Sequence, residues 1–281
     1  MSEILKRSIT GALYIIIIVS TAFLSHYLLL VFFTVVGFIC LREFQTLLNF
    51  KNVMSYFSLV VLLYYFNFTE DCKDLTENCQ KDLTENCQYV LIAYLAMTLV
   101  VKLFLLKDLY TLNDIPIFDG RKHLLTLFYI VPSIIFLTMI PVYKENYEYV
   151  LVGTFVLIWT NDSFAYLVGK NFGKHKLFER ISPKKTIEGF IGGAVFTVAM
   201  SYLIFTYIEI LPWWAWIILA LIVSVFGTLG DLVQSKFKRK ADVKDSGKIM
   251  PGHGGIFDRM DSMLFSSTFV FIFILFVDYV S

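Results

Sequence analysis

Apolar residues fall along this chain in long unbroken blocks, not at alternate positions and not on one face of a helical period. A bilayer-crossing helix needs about 20 such residues, or a few fewer when its ends snorkel. Nine blocks meet that need. They lie near Ile9–Leu24, Tyr27–Leu41, Val53–Phe68, Tyr89–Leu106, Leu124–Val142, Tyr147–Val168, Phe190–Ile208, Trp213–Val233 and Met263–Tyr279. No polar helical faces balance the apolar ones, which excludes a soluble helical core. Only Ser25-His26 separates the first two blocks, so that boundary is the weakest marked. Lys6-Arg7 precedes an apolar run that is too long for a cleavable signal and lacks a small-residue cleavage site. The pattern predicts an all-α, polytopic integral membrane protein with about nine transmembrane helices, folded as one helical domain over residues 1–281.

Composition agrees: 57% of residues are hydrophobic, mean hydropathy is +0.69, and there are 28 Phe and 16 Tyr. The net charge of +1 hides a strong asymmetry. With the N-terminus cytoplasmic, every Lys and Arg except Lys73, Lys81 and Lys144 falls on the inner side, Lys102 and Lys107 included. That is the arrangement expected of a multi-pass protein of the cell (inner) membrane, with Ser281 on the opposite side. No nucleic-acid partner is expected.

Residues 1–145 read as scaffold helices with short polar loops and little chemistry, and residues 146–281 as the catalytic half. In the first half the octad Lys73–Gln80 is repeated unchanged at Lys81–Gln88. Two copies do not make a solenoid. A tandem duplication in an exterior loop is the expected origin, since such loops absorb insertions at little cost. Cys72, Cys79 and Cys87 fall in this loop and Cys40 in an apolar block. They read as incidental, with one disulfide accessible to the exterior set.

Candidate chemistry crowds into two basic loops of the second half. The first carries Lys170, Lys174, His175, Lys176 and Ser182-Pro183-Lys184-Lys185-Thr186, then Glu188-Gly189. Ser182-Pro183 signals a helix start, and a helix N-terminus flanked by lysines is a ready anion site. A basic loop touching lipid headgroups would look much the same. In the second, Asp258 and Asp261 share a helical face at the start of the last span. No Lys or Arg follows in that helix, so the pair suggests cation ligands more than a salt bridge. Asp231 follows Gly227 and Gly230, which permit close helix approach. Together Asp231, Asp258 and Asp261 offer hard oxygen ligands suited to magnesium, with a second cation left open. For Asp231 alone, a cap or a lysine partner is nearly as good a reading. Asn161-Asp162 lies within an apolar block, where an acid is a functional candidate by default. A cavity wall is expected for both, against the alternative of a polar pair bonding across helices. His253, set between glycines, could be an acid or base, a phosphate donor, or a turn former; phosphate contact is the expectation. GxSxG, HExxH, complete P-loop and zinc-spaced Cys/His patterns are absent.

Ser235, Phe237, Lys238-Arg239, Lys244-Asp245, Gly247, Pro251, His253-Gly254-Gly255, Asp258-Arg259 and Asp261 together resemble the C-terminal motif of the phosphatidate cytidylyltransferase (CDP-diacylglycerol synthase) family. Ser182–Gly189 is similar to that family's upstream S-P-K-K-T-x-E-G string, and Asp162 precedes a matching A-Y-x-x-G-K at Ala165–Lys170. The likeness is strongest from Asn161 to Asp261; Met250 departs from the more usual branched aliphatic or Phe. The resemblance implies cytidylyl transfer from CTP to phosphatidic acid, giving CDP-diacylglycerol and pyrophosphate. It implies a homodimer too. It would give Asp231, Asp258, Asp261, Lys244, Asp245 and His253 catalytic roles. Substrate contacts would fall to Asn161, Asp162, Lys170, Ser182, Pro183, Lys184, Lys185, Thr186, Glu188, Ser235, Lys238, Arg239, Gly254, Gly255 and Arg259. The alternatives are a related membrane lipid or polyprenol kinase or cytidylyltransferase, and a secondary transporter. The complete Ser235–Asp261 motif argues against the first. The lack of repeated halves with matching broken helices argues against the second.

Overall fold

The computed structural model describes residues 3–68, 85–111, 121–250 and 254–280. Nine helical stretches cover most of them: α1 (Glu3–Leu24), α2 (His26–Leu47), α3 (Val53–Phe68), α4 (Glu85–Tyr110), α5 (Lys122–Tyr143), α6 (Glu148–Phe172), α7 (Ile187–Tyr207), α8 (Trp213–Lys240) and α9 (Phe257–Val280). Seven are long and apolar enough to cross a membrane; α3 and the Thr10–Leu24 part of α1 are shorter. The all-helical, polytopic expectation therefore holds.

One polar insertion breaks the helical pattern. Strands β1 (Lys176–Phe178) and β2 (Ser182–Thr186) form an antiparallel hairpin between α6 and α7, pairing Lys176 with Thr186 and Phe178 with Ser182. The expectation that Ser182-Pro183 starts a helix is corrected. Proline has no N–H to give a strand partner, yet a two-stranded ribbon leaves one edge free where that loss costs nothing. The helix begins one turn later, where the Thr186 hydroxyl accepts the Gly189 N–H at 3.1 Å. That is a side-chain N-cap.

Fully buried large side chains, among them Phe33, Phe44, Tyr129, Phe136, Trp216, Phe257 and Phe265, fill the bundle's interior. Exposed Leu, Val, Phe and Tyr on α1, α3, α4 and α7 give the outer surface its apolar character, as lipid contact requires. A π turn at Thr126–Ile130 interrupts α5 just before Pro132, which has no N–H to continue the ladder. The Tyr94 hydroxyl takes up the Leu127 carbonyl there at 2.9 Å.

Lys102 is not a surface charge, correcting its place in the inner-side charge set. It is fully buried in mid-α4, and its ammonium donates to Ser133 Oγ (3.1 Å), Leu264 O (2.8 Å), Phe265 O (2.9 Å) and Thr268 Oγ1 (2.7 Å). It thereby ties α4 to α5 and α9. Helix direction puts the α2–α3 turn, the β hairpin and the α8–α9 loop at one end of the bundle. Lys144 and Asp278, paired at 3.1 Å, mark the other.

Candidate active site

The α6–α7 crossing sets one wall. A Cβ on Gly193 would stand 2.9 Å from both Asn161 O and Asn161 Oδ1, so only glycine lets these backbones meet. Asn161 is thus buried against α7, while its neighbour Asp162 is exposed although protein surrounds it. An accessible side chain enclosed in this way lines a concave recess. The structure gives the two predicted wall residues different places: Asp162 faces the recess, and Asn161 is buried in the helix contact with its side chain bonded to Asp162.

Asp231 and Asp261 are half-buried in the same recess and close enough to Asp162 to act on it electrostatically. They meet because Gly230 lets α8 lie directly against Asp261 O and Phe265 of α9. Lys185 reaches in from β2 to pair with Asp231 Oδ2 at 2.6 Å, and Ser235 donates to Asp231 Oδ1 at 3.2 Å. Arg259 is exposed at the start of α9, within electrostatic range of Asp162. Three acids gathered at the end of an apolar bundle repel one another, so they need compensating positive charge. Lys185 supplies one such charge, in a direct ion pair with Asp231.

Asp258 departs from the expectation of a cation ligand. Its Oδ1 takes the Lys238 ammonium at 2.9 Å, and its Oδ2 takes the N–H groups of Ser246 (2.8 Å) and Gly255 (3.0 Å). The salt bridge set aside from sequence is present, donated from α8. Asp258 clasps Ser246 and Gly255 onto the start of α9. Gly254, with φ +86°, supplies the left-handed turn this needs.

Glu43 is the residue that sequence reading missed. It sits on α2, in the half assigned little chemistry, and is only 5% exposed. Its carboxylate accepts the N–H of Phe257 (2.8 Å), the N–H of Ile256 (3.3 Å) and the Ser246 hydroxyl (3.1 Å). An anion at these N–H groups matches the dipole of α9. A Cβ on Gly247 or Gly255 would collide with this carboxylate, which explains two glycines of the motif. Gln234 adds a further tie through its amide to Phe257 O at 2.7 Å. Lys236 pairs with Asp108 of α4 at 2.8 Å. The only hint in the sequence was Glu43 itself, an acid at the edge of an apolar block.

The remaining predicted residues divide by position. Thr186 is the α7 cap. Glu188 accepts the N–H groups of Lys174 and His175 and the His175 ring at 2.6 Å, fixing the hairpin instead of facing the recess. Lys176 donates to Pro183 O at 2.7 Å, and Ser182 is half-buried in β2. Lys184, Arg239, Lys244 and Asp245 are exposed around the site, and Lys170 lies over the Tyr166 ring at 6.0 Å. His253 lies outside the described residues.

Magnesium is the ion these carboxylates would suit. Among the described residues, no three Asp, Glu, His or Cys side chains are already gathered around one point that could hold an ion. Magnesium is commonly held by one or two carboxylates together with substrate phosphates. Asp261 and Asp231 fit that smaller set once Lys185 turns from Asp231 to the substrate phosphates, whereas Asp258 is held by Lys238 and by two backbone N–H groups that cannot turn away.

The pattern of the cytidylyltransferase family matches residues 5–277. A phosphatidate cytidylyltransferase of Staphylococcus saprophyticus is 30% identical over 265 residues, 92% of this chain and 94% of that protein. The proteins of the same name from Bacillus subtilis and Staphylococcus aureus are 50% identical over 117 residues and 51% over 128. These matches cover 41% and 43% of this chain, and 44% and 47% of the relatives.

Proposed function

Because the chain belongs to the cytidylyltransferase family, we propose that it moves the cytidylyl group of CTP onto phosphatidic acid, releasing pyrophosphate and leaving CDP-diacylglycerol in the membrane. The observation that carries this reading is the recess of Asp162, Asp231 and Asp261, beside Lys185 and Arg259 at the end of an apolar bundle. A lipid phosphate reaches such a site at headgroup level while its tails stay in the bilayer.

A phosphatidate oxygen forms the new bond to the α-phosphorus of CTP as the bond to the pyrophosphate oxygen breaks. No covalent enzyme intermediate is needed. Lys185 leaves Asp231 for the nucleotide phosphates, and Arg259 holds phosphate at the rim; both favour charge developing on the leaving group. Bound at Asp231 and Asp261, magnesium would supply charge neutralisation to the CTP phosphates. Asp258 and Glu43 do not touch substrate in this scheme; they hold the loop and the start of α9 where Arg259 and Asp261 need to be. We place the site on the cytoplasmic side, where the basic loops and CTP meet. Assembly as a homodimer belongs to the same proposal.

Purified full chain, incubated with labelled CTP, phosphatidic acid and magnesium, should yield a labelled lipid and pyrophosphate in equal amounts. Absence of that lipid across detergents and divalent metals would reject the reading.

A further inference from the structure

The α2–α3 turn borders a second, open-mouthed cavity of about 590 Å³, lined by Arg42, Gln45, Asn49, Lys51, Asn52 and Tyr56 among others. Its wall holds two cations and no acid, and among the described residues neither cation pairs with a carboxylate. Its floor is rigid. Gln45 donates to Asn52 O (3.1 Å) and Ser55 Oγ (3.0 Å), accepts the Asn52 N–H (2.8 Å), and Asn52 donates to Thr126 Oγ1 (2.9 Å). Lys122 secures the same turn through Leu48 O at 3.0 Å. Arg42 and Lys51 are exposed on this fixed frame, and the lipid-facing Val53, Met54 and Phe57 begin at its edge.

We propose that this cavity binds the phosphate headgroup of an acidic phospholipid, separately from the catalytic recess. The two cations answer the phosphate, Arg42 with the forked geometry suited to its oxygens. The exposed Asn49 amide supplies a polar contact for the glycerol, and the acyl chains run down the outer face of α3. Basic pockets between membrane helices bind anionic headgroups in this way. A soluble anion would have no use for the apolar margin. None of the lining residues belongs to the recess. Glu43, next to Arg42, points the other way into the α9 loop.

The test is native mass spectrometry of the full chain in detergent, titrated with phosphatidylglycerol and, separately, phosphatidylcholine. Neither lipid is the phosphatidic acid substrate, so the result does not depend on the proposed reaction. Wild type should retain phosphatidylglycerol over phosphatidylcholine. The double variant Arg42→Gln, Lys51→Gln should bind it about 10- to 30-fold more weakly. The charge-keeping Arg42→Lys, Lys51→Arg should retain it, which separates lost charge from lost fold. Unchanged phosphatidylglycerol binding in the Gln variant overturns the proposal. Displacement of the lipid by millimolar inorganic phosphate also overturns it, by making the site one for free anions. A parallel loss of cytidylyl transfer in the Gln variant would put the cavity on the substrate path and remove its separateness.

Discussion

Asp258 and Asp261 stand one helical turn apart, yet their surroundings give them different tasks. Asp258 spends both oxygens on Lys238 and two backbone N–H groups. Asp261 receives the N–H of Ser262, at 2.7 Å, and faces two other acids. Asp261→Asn is therefore expected to cut turnover about 100-fold or more while leaving thermal stability near wild type. Asp258→Asn should cost about 1–3 kcal/mol of stability, because buried donors lose a charged acceptor. Thermal melts run beside turnover assays separate the two, and equal melting losses would refute the division. Glu43 extends the argument to a residue with no substrate contact. Glu43→Gln keeps the volume but weakens three charge-assisted bonds to the 246–257 segment. Turnover should fall about tenfold, the loss of roughly one such bond. Hydrogen exchange should accelerate at the Ile256 and Phe257 amides. Slower turnover with unchanged exchange would assign Glu43 a direct chemical role instead. Sequence could pair Asp258 with Asp261 because both lie on one helix. It could not show that Glu43 and Lys238 meet that helix, since those contacts exist only after α2, α8 and α9 pack.

At the scale of elements, the helices were legible because lipid imposes one rule on every span, and unbroken apolar blocks obey it. The hairpin was not. Lys176–Thr186 is polar, short and without alternation, and Ser182-Pro183 carries a helix-start signal that pairing with β1 overrides. Lys102 misled for a related reason. Charge counting uses position in the sequence, while the groups that accept its protons come from α5 and α9. The hairpin has a functional consequence that its strand geometry explains. Successive strand residues point to opposite faces, so Lys185 turns in to Asp231 and Lys184 turns out to solvent. Lys185→Ala should raise the apparent KM for CTP and lower kcat, by about tenfold or more in kcat/KM, since it removes a charged phosphate partner. Lys184→Ala should change kcat/KM by no more than about twofold, the scale of an exposed charge. Kinetics with each substrate varied in turn decide this. An effect confined to the KM for phosphatidic acid would move the hairpin to the lipid headgroup.

The whole molecule divides its work between two ends. Glu43, the hairpin, the α8–α9 loop and the Arg42–Lys51 cavity share one end, and the Lys144–Asp278 pair lies at the other. Residues 69–84, which hold most of the duplicated octads, lie outside the described residues, but the helices they join fix which end they leave from. The α3 helix starts beside the cavity and runs away from it, and α4 returns, ending at Asp108 beside Lys236 of α8. The last residues of α3 and the first of α4, which this segment joins, therefore lie across the bundle from every proposed catalytic group. The second copy also runs into α4, whose first residues are Glu85-Asn86-Cys87-Gln88, with Cys87 buried and disulfide-bonded. Because the copies are identical, removing either one leaves the same sequence and keeps Glu-Asn-Cys-Gln at the head of α4. The connection becomes shorter and keeps two of its three cysteines, Cys72 and the octad cysteine at the head of α4, and halving a loop alters its closure entropy by about 0.6 kcal/mol. Deletion of Lys81–Gln88 should thus leave membrane insertion and cytidylyl transfer near wild type, with a melting temperature shifted by a few degrees at most. Activity in purified, correctly inserted protein is the measurement. A deletion variant that inserts normally yet loses transfer would show that the far end of the bundle governs the recess, through α4 and the Asp108–Lys236 pair that joins it to α8.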